Sequence, residues 1–156
     1  MTHWMIWLLG PLGILSTAVV FGTDMFFLTI ARAALRRASE GAGTEVMGFF
    51  HLYADARMPI WGVLAIVSNF LLALMNGNGH RLLYFASVLM LILFVLFYTL
   101  LAKPINRIQI EAAQNGKSLI NGRELQAAWD RLLLVRVPLL VVSLLAQCLM
   151  LVYASA

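Results

Sequence analysis

The sequence predicts an all-α fold: a single integral membrane domain over residues 1–156, a four-helix bundle whose helices overhang the cytoplasmic side. Three observations predict it. Hydrophobic residues make up 62% of the chain and charged ones 12%, where a soluble domain carries about a quarter charged. With a mean hydropathy of +0.90, a water-soluble fold would lack the polar surface to cover itself. Second, Trp4 to Thr23, Met58 to Gly79, Leu82 to Ala102 and Val137 to Ala156 contain no Asp, Glu, Lys or Arg, and each is long enough to cross a hydrocarbon core of about 30 Å as a helix. Lipid offers no partner to exposed backbone groups, which requires helices here. Third, Arg32, Arg36, Arg37, Arg57, Lys103, Arg107, Lys117, Arg123, Arg131 and Arg136 fall on one side of these spans and Arg81 alone on the other. By the positive-inside rule the crowded side is cytoplasmic, which puts both termini outside and the protein in the inner (cytoplasmic) membrane.

The spans are expected at about 4–31, 47–75, 82–104 and 132–154. Helical patterning runs past each apolar core. The first continues through Ala31-Arg32-Ala33-Ala34-Leu35, and the second starts near Thr44, an N-cap candidate followed by Glu45. The third runs through Lys103-Pro104-Ile105-Asn106-Arg107 to the breaker Asn115-Gly116. In the fourth, Asn121 can cap, with Glu124 at the third helical position. Arg57-Met58-Pro59 and Arg136-Val137-Pro138 echo each other where cytoplasmic helices enter the membrane. Either two duplicated hairpins or the common interfacial use of Arg and Pro explains the echo.

Several classes are disfavoured. The lone Cys148 has no partner for a disulfide or a C-x-x-C site. Basic residues flanking spans set orientation, so the net charge of +4 does not call for nucleic acid. Met1 to Gly13 holds no Lys or Arg, unlike a signal peptide, so the first span is expected to remain in the mature chain. Trp4 and Trp7 read as an interfacial belt. His3 and His80 belong to the outer ends, which leaves His51 without a second histidine in its layer for haem.

Counting about 1.5 Å per residue from the outer ends places Asp24 and Asp55 at about 30 Å, and Arg57 and Arg136 at about 27 Å. His51, Asn106 and Asp130 follow at about 36 Å. Ionisable groups from four helices therefore share one level. Asp24, alone in an apolar helix, must be protonated, paired with Arg57 or Arg136, or bound to a cation. His51 and Asp55, spaced i, i+4, share a helix face, which suits a carboxylate orienting an imidazole, two metal ligands, or a plain hydrogen bond. Asp24, His51 and Asp55 make a candidate three-ligand metal site, and Met25, Met47 and Met58 could add thioether. Pro59 removes the hydrogen bond to the Asp55 carbonyl and is expected to bend the helix here, opening a pocket. Phe26, Phe27, Phe49, Phe50, Tyr53, Trp61 and Trp129 could wall it for a flat apolar guest.

Gly22-Thr23-Asp24, His51-x-Tyr53-x-Asp55-x-Arg57-Met58-Pro59, Pro104-Ile105-Asn106-Arg107 and Leu125-Gln126-x-x-Trp129-Asp130-Arg131 with Arg136 resemble the anthrone-oxygenase-like family of small four-helix membrane proteins. That resemblance, spanning most of the chain, implies an oxidoreductase or oxygenase acting on a flat hydrophobic, anthrone- or quinol-like substrate from the lipid. It implies His51 as base, oriented by Asp55, with Arg57 or Arg136 stabilising a phenolate. Asp24 completes the catalytic set, and Tyr53, Asn106, Trp129, Trp61 and Phe27 contact the substrate. Such chemistry runs with no cofactor or with a metal ion at Asp24, His51 and Asp55. The rival readings are an accessory subunit of a larger membrane complex or homo-oligomer, with the charges as interhelical clamps, and a small carrier.

Overall fold

The computed structural model describes residues 3–155 and is helical nearly throughout. The side chains of His3 and His80 lie outside the described residues, as do Met1, Thr2 and Ala156. Helix α1 (His3–Phe26) continues through a π-helical turn, Phe27–Ala31, into the short α2 (Arg32–Leu35). Helix α3 (Glu40–Met75) is one unbroken rod through Pro59. Helix α4 (Asn78–Phe97) passes through a second π turn, Tyr98–Ala102, into α5 (Lys103–Gln114), and α6 (Gly122–Ser155) forms the fourth rod. All four rods are long and apolar enough to cross a membrane.

Local chemistry explains the ends. Ser39, not Thr44, caps α3: its Oγ accepts from the Ala42 N–H at 3.3 Å, and Thr44 is buried inside the helix. The cap therefore stands five residues earlier than Thr44, because Glu40 to Gly43 are already helical. The third rod stops as Asn115-Gly116 foretells. Gly116 takes φ +61°, and the Lys117 N–H reaches back to the Ala112 carbonyl at 2.9 Å, closing a Schellman turn. At the second π turn, Pro104 deprives the Leu100 carbonyl of its usual donor, which favours the loosened turn.

The rods pack in chain order and close a ring, the first also touching the fourth. Three apolar clusters stack along the axis. One, around Phe27, Met47, Ala102, Trp129 and Leu133, lies at the charged end; a second, around Val20, Ala65, Leu91, Phe94 and Leu140, lies mid-bundle. The third, around Leu72, Tyr84 and Met150, lies at the opposite end. Polar side chains such as Ser16, Thr17, Ser87, Ser143 and Gln147 are buried, whereas large apolar ones such as Leu15, Ile60, Leu100 and Leu145 face outward. This inverted pattern suits lipid, because an apolar exterior costs nothing there and polar groups seek partners inside. Close approach at the charged end depends on Gly48, where a Cβ would collide with the Gln109 carbonyl and Ala113.

Candidate functional site

A cavity of about 360 Å³ opens between the charged-end and mid-bundle clusters. Helix α3 contributes His51, Ala54, Asp55, Met58, Pro59, Gly62 and Ile66, a stripe at three- and four-residue steps. Asp24 and Phe27 enter from the first rod, Phe94, Tyr98, Lys103 and Asn106 from the third, and Trp129 and Arg136 from α6. The mouth, at Pro59, Val63, Thr99 and Lys103, lies on the apolar outer surface of the bundle. A Cβ on Gly62 would meet nothing within 4 Å, so this residue keeps space open.

Asp24 and Arg136, 3% and 6% exposed, form a buried ion pair with Nη2 and Oδ1 2.8 Å apart. Of the partners expected for Asp24, the structure selects Arg136. Its guanidinium is also caged by rings: Cζ lies 4.9 Å from the Phe94 centroid, 5.7 Å from Trp129 and 5.8 Å from Tyr98. Such contacts favour the cation where water is excluded. Asn106 Nδ2 donates to Asp55 Oδ1 at 3.0 Å, and the Tyr98 hydroxyl lies within interaction range of the same carboxylate. The His51 ring, 2% exposed, packs 5.1 Å from Trp129 and 6.5 Å from Phe27.

Several buried polar atoms here have no hydrogen-bond partner among the described residues: Asp24 Oδ2, His51 Nε2, Asn106 Oδ1, Trp129 Nε1 and Arg136 Nε. All five belong to residues that line the cavity. Each unpaired group carries a desolvation cost of about 1–3 kcal/mol, and the four on Asp24, Asn106, Trp129 and Arg136 are what a ligand with its own polar groups would relieve. The void supplies two donors, Arg136 and Trp129, two acceptors, Asp24 and Asn106, and an imidazole.

Of the residues expected from the sequence, Asp24, Phe27, His51, Asp55, Asn106, Trp129 and Arg136 are brought together. Arg57 and Tyr53 are not. They stand on the outer face of α3, Tyr53 56% exposed, with the Arg57 guanidinium 5.0 Å from its ring centroid. Two residues along a helix is a rotation of about 200°, so Arg57 points away when Asp55 points in. Trp61 packs against the mid-bundle cluster and does not line the void. Asp55 bonds to Asn106 rather than to His51, and among the described residues His51 Nε2 is left unpartnered. The three-ligand set Asp24, His51 and Asp55 is likewise not formed. Among the described residues no three His, Cys, Asp or Glu side chains are grouped to hold a metal, since Asp24 turns to Arg136 and Asp55 to Asn106. Phe94 and Tyr98 were not foreseen; they share a face four residues apart, and the π turn at Tyr98–Ala102 brings Asn106 onto it.

Compared with known proteins, the chain matches no family model, no curated protein and no solved structure.

Proposed function

We propose that the protein is an inner-membrane oxidoreductase of the oxygenase type, acting on a flat, hydroxylated aromatic molecule that enters the cavity from the bilayer. The carrying observation is the set of unpartnered atoms on Asp24, Asn106, Trp129 and Arg136 around one aromatic-walled void beside His51. A phenolic hydroxyl can donate to Asp24 Oδ2 or Asn106 Oδ1, while a ring carbonyl or phenolate accepts from Arg136 Nε or Trp129 Nε1. The resemblance to anthrone-oxygenase-like proteins supports the same substrate class. His51 takes a proton from the ring methylene, Arg136 holds the negative charge that develops on the phenolate oxygen, and O₂ supplies the oxygen. Atoms balance when the methylene and O₂ become a ring carbonyl and water. The charged end faces the cytoplasm, on the ten-to-one distribution of Lys and Arg.

A second reading has one specific observation behind it. The Asp24–Arg136 pair joins the first and fourth rods where both are buried, as a structural clamp in an accessory subunit would.

The test uses purified protein in lipid nanodiscs with a dihydroxyanthrone. Binding is read from quenching of tryptophan fluorescence that Trp129→Phe diminishes, and turnover from anthraquinone absorbance with matching O₂ uptake. We expect both in the parent and loss of turnover in His51→Ala. Folded parent that neither binds nor oxidises the probe would overturn the proposal in favour of the clamp.

A further inference from the structure

At the charged end a second cleft, of about 360 Å³, is lined by Arg32, Gln109, Gln126 and Asp130 among others. These four residues also form a chain. Arg32 Nε stands 3.0 Å from Asp130 Oδ2. Gln126 Nε2 donates to Asp130 Oδ1 at 2.8 Å, and Gln109 Nε2 donates to Gln126 Oε1 at 3.3 Å. Helices α3 and α5 touch at Gly48 and Gln109, one turn along α3 from His51, which sets the Gln109 side chain beside the His51 ring.

The chain has a direction fixed by its charged end. A carboxylate held against an arginine is acceptor-only, so Gln126 must turn its NH₂ toward Asp130 and its oxygen away. That oxygen needs a donor, so Gln109 turns its own NH₂ to it, leaving Gln109 Oε1 to face the other way. Gln109 Oε1 is buried without a partner, and so is His51 Nε2. An amide oxygen can only accept, so it calls for a donor such as an imidazole N–H. From this geometry we propose that Gln109 is a positioning residue: it accepts a hydrogen bond from His51 Nε2–H, fixing the tautomer that leaves Nδ1 with the lone pair.

The inference rests on the reading of His51 as the base of the cavity, and supplies the orienting partner that Asp55 does not provide. A base must keep one nitrogen unprotonated, and the proton must sit on the other. Here the choice is made by a carboxylate three side chains away, transmitted by the polarity of two amides.

The experiment is nitrogen NMR of the full-length protein in nanodiscs, carrying isotope-labelled histidine and no substrate. The His51 resonances are assigned as those absent from His51→Gln. We expect the Nε2–H tautomer to dominate in the parent. Gln109→Leu and Gln126→Leu should each lower its ratio to the Nδ1–H tautomer about tenfold, the worth of one net hydrogen bond. Gln109→Glu, which retains an acceptor, should preserve it. Gln109 is buried against Gly48, so its Leu variant is at risk of misfolding; the half-buried Gln126 carries the same test. A parent dominated by Nδ1–H, or a ratio unchanged in the folded Leu variants, would overturn the proposal. Because the readout needs no substrate, a failed anthrone assay leaves this result standing, and an unchanged tautomer in an active enzyme sinks only this inference.

Discussion

Two polar regions lie inside this apolar bundle, and they are built differently. Toward the end remote from the charges, Thr17, Ser87, Ser143 and Gln147 knit the first, third and fourth rods together. Ser87 and Ser143 hydroxyls are 2.8 Å apart, and Gln147 Nε2 lies 3.0 Å from the hydroxyls of Thr17, Ser87 and Ser143. The cavity layer instead carries full charges, one buried ion pair and, besides His51 Nε2, four unpartnered atoms on residues that line open space. Neighbouring Ser16 Oγ and Asn69 Oδ1 also lack partners, but they are neutral and line neither cavity nor cleft. The neutral network is satisfied within the protein, whereas several polar groups of the cavity layer are not. The contrast separates adhesive from site.

The largest expected effect breaks the charged layer itself. Asp24→Leu leaves the Arg136 guanidinium buried without its anion, and should cost about 3–5 kcal/mol, read as a lowered midpoint of unfolding in detergent. Asp24→Asn, which still offers an acceptor oxygen, should lose clearly less. If Leu is tolerated better than Asn, the ion pair does not hold the bundle.

Smaller and opposite in kind are the effects of Gln147→Leu and His51→Ala. Removing Gln147 from the neutral network should cost about 1 kcal/mol of stability and leave binding of a dihydroxyanthrone unchanged. His51→Ala should do the reverse, with an unfolding midpoint close to that of the parent and turnover abolished. Equal losses of stability in the two variants would erase the distinction between the regions.

Gly62→Leu sharpens the point by adding rather than removing. Its side chain grows into space that nothing occupies within 4 Å of the new Cβ, so thermal stability should hold while probe binding weakens about tenfold or more, as the cavity fills. Gly48→Ala, facing the Gln109 carbonyl, should instead destabilise the charged end. The smallest effect belongs to Arg57→Ala. Its exposed cation–π contact with Tyr53 is worth about 0.5–1 kcal/mol, and binding in the cavity should change by less than about twofold.

The sequence made the four rods and the height of the charged layer readable, because axial position follows from a constant rise per residue and from where charges are excluded. Azimuth was harder. Height alone put Arg57 level with Asp24, and only the helical rotation between Asp55 and Arg57 shows that they face opposite ways. The neutral network escaped notice because Ser and Thr in apolar helices look like packing residues; Ser143 and Gln147, one turn apart on α6, were its visible trace. Gln109 was hidden for a different reason. Its bearing relative to α4 depends on the π turn at Tyr98–Ala102, which no repeat of 3.6 residues foretells.

That turn has a consequence for the phase of the whole third rod. Phe94, Tyr98, Ala102 and Asn106 all face inward at steps of four, with Ala102 wholly buried. Three such steps on a regular α-helix would swing the last residue about 120° away from the first. The π turn at Tyr98–Ala102 absorbs the surplus as one extra residue, and α5 inherits a corrected bearing. Deleting a single residue there would therefore leave α4 and its packing as they are. Beyond the deletion, every side chain of α5 would swing by about 100°, parting Asn106 from Asp55 and Gln109 from His51 together. The cavity-lining face of this bundle is in register by one residue, inserted where the helix is least regular.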